Sequence, residues 1–270
     1  MARPYAEVIG DPIGHSKSPK IHGFWLEALG IAADYRAVHV RPDALAAYFA
    51  ERRADPDWRG CNITVPHKIA SLAHVGEQRD VATAIGAINT VVRGDQGALV
   101  GTNTDAAGFA APLERFDLAG KPVTVIGAGG AGRAVLFALA RIGVGPVTLF
   151  NRDVEKGAAL LSSLGIDGRA VPIGRAVPPG ALVVNATSLG MTGQPPLALD
   201  LSALPQDAVV YDIVYAPLET DMLAAARARG LATIDGLEML IGQAAVAFEL
   251  FFGAVPPRER DGELRAMLLR

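Results

Sequence analysis

The stretch GAGGAG, Gly127 to Gly132, fits the spacing G-x-G-x-x-G and sits after the strand-like run VTVI and before the helix-like run RAVLFALARIG. That pattern suits a phosphate cradle. Gly127 permits a tight turn, Gly129 lets the backbone approach a pyrophosphate, and Gly132 allows close helix–strand packing, while free N–H groups at the helix start face the phosphates. Gly127, Ala128, Gly129, Gly130 and Ala131 are therefore the expected dinucleotide contacts. At the end of the next strand an NAD site usually carries an acidic residue for the ribose hydroxyls. This chain has Asn151 and Arg152 there, with Lys156 a turn later. A guanidinium forks onto a 2′-phosphate, so the expected cofactor is NADP. Asp153 acts against that choice, because a carboxylate beside the pocket repels phosphate and leaves NAD open.

A second set of polar residues falls just beyond strand-like runs: Lys68 in NITVPHK, Asn89 in GAINT and Asp105 in GTNTD. Singly, each has a plain structural reading, as a surface charge, a turn residue and a helix cap. Jointly they converge on the strand-end edge where α/β folds bind ligands. GHSKSPKIH, Gly14 to His22, lies at the mouth of the first strand. Ser18 before Pro19 reads as a helix start with a capping hydroxyl. That reading leaves Ser16 and Lys17 without a purpose.

These residues need a frame to hold them. The chain has 270 residues, half of them apolar, which allows two modest domains with real cores. Strand-like YAEVIG (5–10), DYRAVHV (34–40) and CNITV (61–65) alternate with helices near 18–30 and 42–54, and two short strands flank a turn within 86–101. This is the rhythm of a mainly parallel sheet. From Lys121 it restarts through VTVI, VTLF, ALVVN, AVVYD and LATI. The expected fold is α/β in two lobes: residues 1–103 with 237–270 as one domain, and 104–236 as a doubly wound Rossmann-type dinucleotide-binding domain. The tail from Leu237 reads as an apolar helix followed by an amphipathic one at 258–269, returning to the first domain.

Composition narrows the function. With 25 basic and 28 acidic residues and no basic run, nothing points to nucleic acid. A single cysteine, Cys61, excludes an internal disulfide, and five scattered histidines suggest no metal centre. The amino terminus lacks a signal-peptide pattern and no apolar run reaches membrane-spanning length, so a cytoplasmic protein with no membrane partner is expected, as a monomer or homodimer.

The segments GHSKSPKIH, NITVPHK, GAINT, NTDAAGF, GAGGAGRA, NR, NATSLGM, DIVYAP and DGLEMLIGQA follow one another across nearly the whole chain. In that order they resemble the shikimate dehydrogenase family. The resemblance implies a bilobal enzyme that reversibly reduces 3-dehydroshikimate to shikimate with NADPH in aromatic amino-acid biosynthesis. It implies that Ser16 and Ser18 hydrogen-bond the substrate carboxylate and that Asn62, Thr64, Lys68, Asn89, Asp105 and Gln243 surround the ring hydroxyls. Tyr215 would face the substrate from the cofactor domain. Hydride transfer to a ketone leaves an alkoxide that needs a proton. Lys68 is the expected acid/base, and Asp105 orients it, with a share in the proton transfer left open. Asn185, Thr187 and Met191 of NATSLGM are expected near the nicotinamide, and Gly236 offers a backbone position suited to close approach. Two alternatives stand beside this: a quinate/shikimate dehydrogenase using NAD or both cofactors, and a nucleotide-sensing regulator without the chemistry.

Overall fold

Every strand-like run singled out above becomes a strand in the computed structural model, which describes residues 3–174 and 176–270. The chain divides into two units, Met1–Thr104 with Ile241–Arg270, and Asp105–Leu240. The first begins β1 (Tyr5–Gly10), α1 (Ser18–Ala28), β2 (Asp34–His39), α2 (Leu45–Ala54) and β3 (Trp58–Ile63). It continues through α3 (His67–Ala70), β4 (Glu77–Gln78), α4 (Asp80–Ile85), β5 (Thr90–Arg93) and β6 (Leu99–Thr102). The sheet order is β2-β1-β3-β5-β6-β4. Helical crossovers make β1 parallel to β2 and β3, whereas the tight turn through Gly94 and Gly97 can only return β6 antiparallel to β5. β5 also runs antiparallel to β3, and β4 runs parallel to β6. Ile9, Trp58, Ile63, Ile88, Val91 and Leu99 share one buried cluster of this unit.

The second unit opens with α5 (Asp105–Ala110) and continues β7 (Val123–Ile126), α6 (Gly130–Ile142), β8 (Val147–Phe150), α7 (Val154–Ser163) and β9 (Gly168–Val171). β10 (Leu182–Asn185), β11 (Val209–Asp212), α8 (Asp221–Ala228) and β12 (Ala232–Ile234) complete its sheet. The order is β12-β11-β10-β7-β8-β9, parallel throughout. Successive strands move one way from β7 to β9 and the other way from β10 to β12. The switch point of a doubly wound sheet therefore lies between the carboxyl ends of β7 and β10. Their four-residue runs are buried throughout, as central parallel strands must be.

The long helix α9 (Gly236–Phe252) and α10 (Asp261–Leu268) follow. From Ile241 onward the chain belongs again to the first unit, where Ala247 and Phe251 cluster with Ala6 and Val92. Lys17 explains itself here: its Nζ donates to the backbone carbonyl of Leu268 at the end of α10, where the dipole favours a cation.

Three local expectations change. The residue flanking α1 is Lys17, and no side chain caps the helix. Ser18 is already helical, and it is the Ser16 Oγ that accepts the Ser18 N–H at 3.3 Å. β3 starts at Trp58 and stops at Ile63, which leaves Thr64 in the turn beyond it. β4, β9, α3 and α4 carried no pattern strong enough to read.

Candidate active site

In the first unit the expected substrate residues lie beyond the carboxyl end of β1, at that of β3, on α3, on the turn entering β5 and on α9. Register sets the centre. Asn62 of β3 sits directly opposite Thr90 of β5, and Thr90 opposite Thr102 of β6. The Asn62 Nδ2 donates to Thr90 Oγ1 at 3.0 Å, and Thr90 Oγ1 donates to Asn89 Oδ1 at 2.9 Å. Asn89 Oδ1 also accepts the backbone N–H of Thr104 at 2.7 Å, and its Nδ2 donates to Thr104 Oγ1 at 2.9 Å. Gln243 closes the row, its Oε1 lying 3.4 Å from both Asn89 Nδ2 and Thr104 Oγ1. All five side chains are buried.

At the other end Tyr35 donates its phenol to Asn62 Oδ1 at 2.6 Å, and the same phenol lies within hydrogen-bonding reach of Ser18. Burial holds the Tyr35 hydroxyl well above its ordinary pKa, so it stays a donor. Beneath it the His22 ring stacks parallel at 3.9 Å. Both His22 nitrogens are buried without a hydrogen-bond partner, and burial pushes its pKa down to about 3. Tyr35, Thr90 and Thr104 thus join residues that the motifs pointed to, although the motifs assigned them no role. Only tertiary pairing brings them together.

Thr64 follows β3, its backbone N–H donating to Ile9 O at 2.9 Å. Lys68 sits on α3, half-buried, and its carbonyl accepts the Ile88 N–H at 2.9 Å, which ties the lysine's turn to the segment entering Asn89. His67 is packed, with Nε2 2.6 Å from Val40 O. Ser16 is half-buried in the loop before α1. Asp105 is the first residue of α5 and is buried.

In the second unit the glycine turn occupies the switch point. Gly127 has φ +102°, and a Cβ there would lie 2.6 Å from Thr187 Cγ2. A Cβ on Gly132 would meet Gly127 O at 2.2 Å, so α6 can lie this close to β7 only with glycine. Around Gly129 nothing lies within 4 Å of a would-be Cβ, which leaves the helix start open. The contrast between helix starts is informative. Asp153 Oδ1 caps α7 by accepting the Lys156 N–H at 2.9 Å, and Thr220 caps α8 through the Leu223 N–H, but no side chain caps α6. An uncapped, glycine-lined helix amino terminus at a switch point fits a pyrophosphate.

At the end of β8, Asn151 Nδ2 donates to Asp153 O at 2.7 Å. Arg152 and Lys156 are exposed, and among the described residues neither has an ion-pair partner. With Asp153 turned onto its own helix, two unpaired cations remain for a phosphate. Asn185 departs from expectation. Its side chain is fully buried, donating to Asp212 Oδ1 and Leu189 O and accepting from the backbone N–H and hydroxyl of Thr187. It therefore shapes the loop together with the Thr187 hydroxyl, which also accepts the Leu189 N–H, while Met191 is exposed. Gly236 is likewise packed inward, a would-be Cβ lying 2.4 Å from Ile213 O, so the close approach it permits is to its own chain. Burial raises the Tyr215 phenol pKa on the turn after β11.

A doubly wound sheet with an uncapped glycine turn, two free cations beyond the next strand and a row of buried amides on a separate α/β unit define a nicotinamide-dinucleotide dehydrogenase. The model of the shikimate dehydrogenase substrate binding domain matches residues 8–91, and that of the shikimate 5′-dehydrogenase C-terminal domain matches residues 236–260. A shikimate dehydrogenase (NADP(+)) of Sphingopyxis alaskensis is 63% identical over 268 residues, covering 99% of this chain and 98% of the relative. The chain belongs to the shikimate dehydrogenase family. Shikimate 5-dehydrogenase of Thermus thermophilus, solved with NADP(H) and shikimate, superposes with a TM-score of 0.88 at 39% identity over 98% of this chain and 100% of that one. Quinate dehydrogenase of Corynebacterium glutamicum, solved with NAD, reaches a TM-score of 0.85 at 33% identity, covering 98% and 99%.

Proposed function

We propose that the chain catalyses the reversible reduction of 3-dehydroshikimate to shikimate with NADPH, with Met1–Thr104 and Ile241–Arg270 as the substrate domain and Asp105–Leu240 as the NADP-binding domain. NADPH, when bound, supplies the hydride. The α6 amino terminus, with Gly127, Ala128, Gly129, Gly130 and Ala131, holds the pyrophosphate. Arg152, Asn151 and Lys156 hold the 2′-phosphate, and Thr187 and Met191 line the nicotinamide end.

Ser16 and Ser18 hold the substrate carboxylate, Asn62, Thr64, Asn89 and Gln243 hold ring hydroxyls, and Tyr215 is the cofactor domain's contribution to substrate binding. Lys68 donates the proton that the new alkoxide oxygen needs and takes it back in the oxidising direction. Asp105 orients the ammonium and the reacting hydroxyl. The observation that carries this reading is the buried row Asn62, Thr90, Asn89, Thr104 and Gln243, a bank of amides and hydroxyls suited to a polyhydroxylated ring. A cytoplasmic location and a monomeric or homodimeric state belong to the same proposal. Asp153, engaged as a helix cap, and the unpaired Arg152 favour NADP over the NAD-linked reading.

The test is Lys68→Ala. Turnover of shikimate with NADP should fall about a hundredfold to ten-thousandfold while NADP affinity survives. Wild-type protein that oxidises quinate with NAD faster than shikimate with NADP, or that turns over neither, would overturn the assignment.

A further inference from the structure

We propose that Thr90 is a positioning residue for the substrate, its single hydroxyl proton passing the fixed orientation of the Asn89 amide on to Asn62 and so setting which end of Asn62 is presented to the ring. This rests on the reading that Asn62 and Asn89 bind ring hydroxyls. One group in the row has no choice. The Thr104 backbone N–H can only donate, and it points at one end of the Asn89 amide at 2.7 Å, so that end is the carbonyl oxygen. Thr90 Oγ1, 2.9 Å from the same oxygen, must then donate its one proton to it. Having no second proton, Thr90 can only accept from its cross-strand neighbour, and so the Asn62 Nδ2 faces it at 3.0 Å. The remaining end of Asn62, Oδ1, must accept from the Tyr35 phenol at 2.6 Å.

The order of donors therefore runs from Tyr35 and Asn62 inward to Asn89, with Thr90 a link between the two amides that both accepts and donates. A fully buried hydroxyl with both functions engaged leaves no latitude. Without it the Asn62 Nδ2 keeps only a long 3.5 Å approach to the Asn89 backbone carbonyl, and the Asn62 amide can turn end over end, while Asn89 stays fixed by the Thr104 N–H. A ligand hydroxyl would then meet an acceptor where it needs a donor.

Thr90→Val keeps the shape and removes the hydroxyl, and Thr90→Ser keeps the hydroxyl. The valine enzyme should lose about tenfold or more in kcat/KM for shikimate and some thermal stability, because a buried amide N–H is left unpaired, with KM for NADP little changed. The serine enzyme should recover to within about threefold of wild type. Thr90→Ala, read the same way, serves if valine misfolds. Equal loss of NADP affinity, shikimate affinity and thermal stability in both hydroxyl-free variants would make Thr90 merely structural and overturn its role. Unchanged shikimate kinetics in Thr90→Val beside a damaged Asn89→Ala would overturn it while leaving the substrate site standing. Unchanged kinetics in Asn89→Ala would show that the site reading itself had failed.

Discussion

His22 should make the first unit acid-labile, and the effect can be worked out in advance. Its ring lies 3.9 Å from Tyr35, edge-on to Trp25 at 5.8 Å and near Phe248 and Phe251, with neither nitrogen hydrogen-bonded. Burial lowers its pKa to about 3, from an ordinary value of 6.5. The folded state thus excludes a proton that the unfolded state binds, so stability is fully present above the unfolded pKa and drains away as pH falls from 6.5 towards 3. At about 1.36 kcal/mol per unit, this one group removes about 1.4 kcal/mol by pH 5.5 and about 2.7 kcal/mol by pH 4.5. His22→Phe keeps an aromatic ring in the stack and abolishes the titration. Urea unfolding of both proteins at about pH 7.5, 5.5 and 4.5 should show the variant gaining on wild type by those amounts. A constant difference across the three pH values would refute the reasoning, because it would mean that a protonated ring is tolerated in the stack.

Arg152→Ala should raise KM for NADP on the order of tenfold and leave KM for NAD nearly alone, as measured by initial rates with each cofactor. Asp153→Ser keeps a competent helix cap and removes the nearby negative charge, so it should lower KM for NADP about two- to threefold. Glu7→Gln should lower stability by about 2 kcal/mol in urea titrations, since Arg36, Arg52 and Tyr48 all converge on a carboxylate with no solvent access. That cost is set below the range for fully buried pairs because Arg36 is half exposed.

Much of the frame was legible because it is local. VTVI, GAGGAG and the following amphipathic helix declare a strand, a turn and a helix within one short stretch, and the parallel order follows from the repeat of such units. β9 escaped because it is a sheet edge: GRAV is exposed or half-buried, so it shows neither the continuous apolar run of a central strand nor a clean alternation. Ser18 was misplaced as a cap, since a serine before proline satisfies the capping rule equally well one residue inside the helix. Asp153 could be a ribose ligand or a cap on composition alone, and only its 2.9 Å bond to the Lys156 N–H decides between them. Asn185 has the right type and place for a ligand, yet its amide is fully engaged by Asp212, Leu189 and Thr187, partners set by loop closure. Thr90 and Thr104 stood inside GAINT and GTNTD, and Tyr35 inside a strand, but their place between the amides depends on long-range pairing that no short window contains.

The division of the chain also orders its birth. Residues 105–240 emerge from the ribosome as one uninterrupted stretch and can close their whole sheet at once. The unit begun earlier cannot complete its core, because Phe248 and Phe251, which roof His22, arrive only with the final thirty residues. A nascent polypeptide therefore carries its complete amino-terminal sheet without its aromatic cover until α9 has been made, and a premature stop in α9 would injure the oldest part of the protein rather than the newest.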